Sequence, residues 1–193
     1  PVGNLKTMGR KVRYNPKGSV LMVEFNVPRY SYHLYSAPIA GQWLNYFNDQ
    51  KKFLTNLPEK LQEKIVLRLH HQDYEKNQVD RWQDAMPELS IDSGAQDIKN
   101  LIQNSRLYIA TYNGTTYLES LTWNIPTIIF WDPVYWELNE QAKPYFDILE
   151  SVGIFHTTPY SASQKMIEVW NDIETWWQSS EIQEARKVFI EKY

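Results

Sequence analysis

Short apolar runs alternate with stretches of helical periodicity along this 193-residue chain. Val20-Leu21-Met22-Val23-Glu24-Phe25 follows Lys17-Gly18-Ser19 and is bounded by turn residues, which predicts a buried strand. A polar, aromatic loop comes next, from Pro28 to Pro38. Over 39–57 the period changes: Trp43, Leu44, Phe47, Phe53, Leu54 and Leu57 recur at helical spacing, with Pro58 just past the end. Residues 65–69 predict a second strand, with His70-His71-Gln72-Asp73-Tyr74 as its polar exit loop. A short helix over 79–85, a weak strand over 89–92 and a helix over 96–103 follow, the last with Ile98, Leu101 and Ile102 inward. Two buried strands, 105–110 and 127–130, then enclose a polar turn and a short helix. Helices are predicted over 138–151, ending at Gly153, over 161–177, and over 182–193, with a small strand at Ile154-Phe155-His156.

Strands alternating with helices of this length imply right-handed βαβ crossovers. The predicted fold is therefore α/β, three layers with a mostly parallel sheet in the middle. In such sheets ligands bind in the crevice outside the carboxyl ends of the strands. Here the loops on that rim begin at Asn26, His70, Thr111 and Trp131, and the polar and aromatic outliers gather in them.

Composition removes several function classes. With 20 Lys and Arg against 23 Asp and Glu, the net charge is −3, which argues against a general nucleic-acid binder. The chain has no cysteine, so disulfides and thiolate metal sites are excluded. No apolar run reaches the length of a membrane span. Aromatic residues form 15% of the chain, and most are expected to pack. The first residue is Pro1, not Met, which reads as a fragment cut from a longer protein at a domain boundary.

The densest chemistry lies in Thr111-Tyr112-Asn113-Gly114-Thr115-Thr116. Hydroxyls, an amide, a glycine and free backbone N–H groups meet there at a helix start, as in a phosphate or carboxylate site. Gly114 would let a ligand approach the backbone, Thr115 or Thr116 would cap the helix, and Glu119 would face the crevice one turn on. An ordinary N-cap, with Glu119 answering the helix dipole, fits the same spacing. The turn is neither a Walker A loop nor a GxGxxG fingerprint.

Four other places carry candidate chemistry. His70, His71 and Asp73 suggest a metal or acid–base role, although adjacent side chains diverge in extended backbone, which works against two His on one ion. Arg68 alternates with Leu67 and Leu69 in a buried strand and needs a partner, either an internal carboxylate or a bound phosphate. Arg29, Tyr30, Tyr32 and His33 would contact a phosphate or sugar, or else face another domain. Glu137 or Glu140 would hydrogen-bond a ribose diol, or else begin a solvated helix.

The pattern Ser105-Arg106-Leu107, Thr111, Thr116-Tyr117-Leu118-Glu119-Ser120-Leu121, Asn124-Ile125-Pro126-Thr127-Ile128 resembles the donor-binding half of GT-B glycosyltransferases. More narrowly, it is similar to a family of transferases of bacterial surface polysaccharide, of the O-antigen or capsule type. Arg68-Leu69-His70 with Asp73, Pro144-Tyr145-Phe146-Asp147-Ile148-Leu149, and Gly153-Ile154 fit the same family. The resemblance implies a Rossmann-like domain over 19–178, the C-terminal half of a GT-B enzyme, with 1–18 as a lead-in segment or interdomain linker. Thr111, Asn113, Gly114, Thr115 and Thr116 would lie at the phosphates of a nucleotide-sugar donor, with Glu119 steadying the turn or reaching the donor. Arg68, His70, Arg29 and Glu137 complete the expected donor set.

The resemblance also implies that no metal and no cofactor is required, the nucleotide-sugar being the substrate and the helix dipole assisting the leaving diphosphate. A glycan or lipid-linked acceptor, and the catalytic base, would come through a missing N-terminal domain, against which helix 179–193 would pack. The fragment alone would bind donor weakly without turnover. The expected location is cytoplasmic, peripheral to the inner membrane through the full-length protein. A nucleotide-sugar epimerase on the same scaffold and a non-catalytic interaction module stay open beside this reading.

Overall fold

The computed structural model describes residues 15–30 and 37–193, so Tyr32, His33 and most of the 1–18 segment lie outside the described residues. Six strands form one sheet: β1 Ser19–Val23, β2 Ile65–Arg68, β3 Ser90–Asp92, β4 Ser105–Ala110, β5 Thr127–Phe130 and β6 Phe155–His156. The order is β3-β2-β1-β4-β5-β6 and every pairing is parallel. β1, β4 and β5 are buried at nearly every position, because helices cover both faces of a parallel sheet. That is why they read as unbroken apolar runs. The chain lays down β1 to β3 in one direction, returns to the far side of β1, and continues from β4 to β6. β1 and β4 thus form the switch point, where neighbouring connections leave in opposite directions and open a crevice.

The helices are α1 Trp43–Thr55, α2 Glu59–Gln62, α3 Gln78–Ala85, α4 Ile98–Gln103, α5 Thr116–Thr122, α6 Lys143–Ser151, α7 Pro159–Val169, α8 Ile173–Gln178 and α9 Ser180–Lys192. Right-handed crossovers put α1 and α3 on one face and α4, α5 and α6 on the other. α7 joins α1, whereas α9 packs on α5, α6 and α8. Aromatic pairs fill both interlayer cores: Phe47 with Trp82 at 4.6 Å and Phe53 with Phe130 at 4.9 Å, then Phe146 with Phe189 at 5.2 Å. None of the eight Trp is exposed, so the aromatic surplus is packing, as expected.

Local chemistry explains where boundaries moved. α6 begins at Lys143 rather than 138 because Pro144 has to occupy the first turn, where its missing N–H costs nothing. Gly153 takes the left-handed turn after α6 at φ +76°, the predicted C-cap. The stretch 161–177 is two helices, not one. The Thr158 hydroxyl accepts the Ser161 N–H and starts α7 early, and Asp172 accepts the Thr175 N–H and starts α8. α2, a single turn after Pro58, is too short to leave a periodic signal. α9 buries Ile182, Ala185 and Phe189, and Arg186 donates to the Leu121 carbonyl at 2.8 Å. The apolar face of the C-terminal helix is therefore used on its own domain, leaving only its charged outer face for a contact elsewhere.

Candidate functional site

Tyr46 of α1 reaches the carboxyl end of the sheet at the switch point. Its hydroxyl accepts the Phe25 N–H at 2.7 Å and meets Thr111 Oγ1 at 2.6 Å. Thr111 donates its own proton to the Val23 carbonyl at 2.6 Å, so Tyr46 must be the donor to Thr111. Burial raises the Tyr46 pKa well above its ordinary value, which keeps that proton in place. This clasp ties the exit of β1 to the exit of β4.

The turn after β4 is wired internally. Thr116 Oγ1 pairs with the Tyr108 hydroxyl at 2.6 Å, and the Tyr117 hydroxyl donates to Asn113 Oδ1 at 3.0 Å. A Cβ on Gly114 would lie 2.2 Å from a ring carbon of Tyr112, so the missing side chain makes room for that ring. Neither threonine caps α5: Thr115 holds the N-cap position without a side-chain bond, and Thr116 is turned toward Tyr108. What the turn leaves open is the exposed Thr115 hydroxyl and the amides of Thr115, Thr116 and Tyr117, which donate to nothing among the described residues. Burial raises the Glu119 carboxyl, and its charged neighbours are Lys99 and Asp97 at α4.

The other sequence-derived candidates separate. Arg68 forms an ion pair with Asp92, its partner in register on β3, and both side chains are largely buried. The internal carboxylate is therefore the partner it has. His70 and His71 do not diverge; their rings lie 4.5 Å apart, because the chain bends there instead of staying extended. Burial lowers the His70 pKa. Asp73 accepts the N–H groups of Asn77 at 2.8 Å and Gln78 at 2.6 Å, which caps α3. Among the described residues no group of three or more His, Asp or Glu is placed to hold a metal. Arg29 is exposed on the β1 exit loop and lines a groove to which none of residues 111–116 contributes. Glu137 is exposed and makes no hydrogen bond to the described residues, while Glu140 pairs with Lys143 at 2.5 Å.

Several polar residues that sequence reasoning passed over sit at the same rim. The Glu24 carboxyl is buried, with the Trp82 indole N–H donating to Oε2 at 2.8 Å and Oε1 without a partner among the described residues. Burial pushes its pKa up to about 8, against the pull of Trp82 and Lys76. Lys76 donates to Asn26 Oδ1 and to the Val27 carbonyl, each at 2.7 Å, and lies 4.9 Å from the Trp43 ring centre. Burial lowers its pKa to about 8 while Glu24 and Asp73 hold it up. The Asn26 amide donates to the carbonyls of Gln72 at 3.0 Å and Asp73 at 2.8 Å, which binds the β1 and β2 exits together. Glu24 carried a usable signal, a carboxylate inside an apolar run. Lys76, in a polar loop, carried none.

Among solved structures, the C-terminal CMP-Kdo binding domain of WaaA from Acinetobacter baumannii is similar in fold, with a TM-score of 0.55 at 10% identity. That match covers 97% of this chain and 96% of the other. The wall teichoic acid polymerase TagF matches at a TM-score of 0.48 and 16% identity, over 98% of this chain and 42% of TagF. An H444N variant of TagF gives 0.49, 16%, 99% and 42%. This chain thus spans less than half of TagF. No curated protein matches it. Residues 1–193 match the LIC12162 family transferase description from end to end, and the chain belongs to that family.

Proposed function

We propose that this chain is the nucleotide-sugar donor-binding domain of a GT-B glycosyltransferase in bacterial surface-polysaccharide synthesis. Membership of a transferase family and a fold like that of a CMP-Kdo binding domain support the reading. The observation that carries it is the β1/β4 switch point. There the Tyr46–Thr111 clasp fixes the crevice floor, and three amides and the Thr115 hydroxyl at the start of α5 are left without acceptors among the described residues. Those groups suit the diphosphate or sugar phosphate of a donor. Because α5 has only seven residues, the amides rather than a long helix dipole would do the binding. Asn113, Gly114 and Thr116 then shape the turn more than they touch ligand, and Arg68 holds the β2–β3 edge. The acceptor, a glycan or lipid-linked, and the catalytic base are assigned to a second domain of the longer protein. A cytoplasmic enzyme peripheral to the inner membrane fits this reading, and no described helix is long and apolar enough to cross a membrane.

Calorimetric titration with CMP-, CDP-, UDP- and GDP-linked sugars tests the proposal. One class is expected to bind, and Thr115→Ala to weaken it with little change in thermal stability. Thr115 is the variant of choice because Thr116 also supports Tyr108. No binding by any of the four at millimolar concentration sinks the reading. Product analysis of the full-length enzyme separates sugar transfer from epimerisation.

A further inference from the structure

A groove of about 590 Å³ lies between the exit loops of β1 and β2, closed on one side by the approach to α1. None of residues 111–116 lines it. Its wall carries three cations, Arg29, Lys76 and Arg81, and one carboxylate, Glu75. None of the three cations takes part in an ion pair among the described residues. Residues 1–14 and 31–36 contain no Asp or Glu, so they hold no carboxylate that could neutralise the groove. In a chain of net charge −3, a concave surface with three cations against one carboxylate is a marked concentration of positive charge, and such a wall focuses the field on an incoming anion.

The cations are also positioned. Arg81 Nε donates to the Lys76 carbonyl at 2.7 Å, which steadies the guanidinium and leaves its two terminal nitrogens without acceptors among the described residues. The Arg29 guanidinium lies 5.7 Å from the Tyr30 ring centre, and Tyr30 is 82% exposed. Backbone strain gathers at the same place. Five non-glycine residues among those described have positive φ, and three of them, Ala40, Tyr74 and Glu75, line this groove. Each left-handed residue without glycine's freedom is unfavourable, and such residues cluster at ligand clamps because the surroundings must hold them.

We propose that this groove is a second anion site, separate from the turn after β4, which takes the phosphate or carboxylate of a sugar-bearing ligand. Arg29 and Arg81 supply the charge-assisted hydrogen bonds, Lys76 holds the two loops together, and Tyr30 offers its face to the ring. The same anion chemistry could come from the donor's nucleotide or from a phosphorylated sugar of the acceptor side. The site stands independently of the donor reading.

The test uses the whole protein, glucose 1-phosphate and CDP as probes, and two variants, Arg29→Ala/Arg81→Ala and Thr115→Ala. The two arginines are exposed, and unfolding curves verify that the double variant folds like the parent. Glucose 1-phosphate is expected to bind the parent at millimolar concentration or better, to lose about tenfold or more in the arginine variant, and to be unaffected by Thr115→Ala. CDP should show the reverse dependence. Two results overturn the proposal: no loss of glucose 1-phosphate binding in the arginine variant, or no binding to the parent. Loss of both probes in the arginine variant makes the groove part of one continuous donor site, and the separate site falls. If CDP fails to bind while glucose 1-phosphate still depends on the arginines, the donor reading fails and the groove stands.

Discussion

The two sides of the crevice treat their polar groups in opposite ways. On the β4 side most polar side chains are paired with one another, Thr111 with Tyr46 and Val23, Thr116 with Tyr108, Asn113 with Tyr117, and only the Thr115 hydroxyl and three backbone amides stay open among the described residues. On the side of the β1 and β2 exits, titratable and charged groups are left over. Glu24 is buried with one oxygen unpartnered, and Arg29 and Arg81 meet no carboxylate among the described residues. Thr111, Asn113 and Thr116, which look chemical in sequence, thus build the scaffold of the crevice, and Arg29 and Arg81 carry its free charge. A wired side holds geometry, whereas a charged side can respond to a ligand or to pH.

The largest expected effect belongs to Arg68, which is wired to Asp92 although it lies at the β2 exit. Arg68→Ala strands Asp92 in the interior and should destabilise the fold by about 3–5 kcal/mol in denaturant titration. A loss below about 1 kcal/mol together with weaker donor binding would move Arg68 to the ligand side. Glu24 comes next. Its carboxyl goes from 4.5 to about 8 on folding, so the folded state holds the proton more tightly. Its contribution is fully present below about pH 4.5 and is lost as pH rises through about 8, on the order of a few kcal/mol across that window. Denaturant curves between pH 5 and 9 should therefore show a decline that Glu24→Gln flattens. An unchanged slope in that variant removes Glu24 from the charged side.

Thr111→Val should cost about 1–3 kcal/mol, since it strands the Tyr46 hydroxyl and the Val23 carbonyl together. It should also weaken donor binding through the loosened floor. Stability equal to the parent would mean that the clasp contributes nothing. The smallest effect is expected from Arg29→Ala/Arg81→Ala, about 0.5 kcal/mol, because both side chains are exposed and neither is paired with a carboxylate among the described residues. A larger loss would show that the groove cations are structural after all.

The parallel sheet was readable because its central strands are covered on both faces, which forces runs such as Val20-Leu21-Met22-Val23 and Thr127-Ile128-Ile129-Phe130. The crevice loops followed from that order, as did the need of Arg68 for a partner. The sequence pattern points Gly114 and Thr116 at a ligand because it shows neither where the Tyr112 ring folds nor the Tyr108 hydroxyl that Thr116 meets. Strand geometry would separate His70 from His71, but the chain abandons that geometry at this point.

By itself, then, the sequence determined the α/β class, the strands and the rim on which a site must lie, since burial leaves a periodic mark along the chain. Tertiary structure alone decided which rim residues are consumed and which stay free. Tyr46 and Thr111 are 65 positions apart, Glu24 and Trp82 are 58, and Asn26 and Lys76 are 50. Hydrogen bonds across such distances depend on how the layers stack, and no local pattern records them.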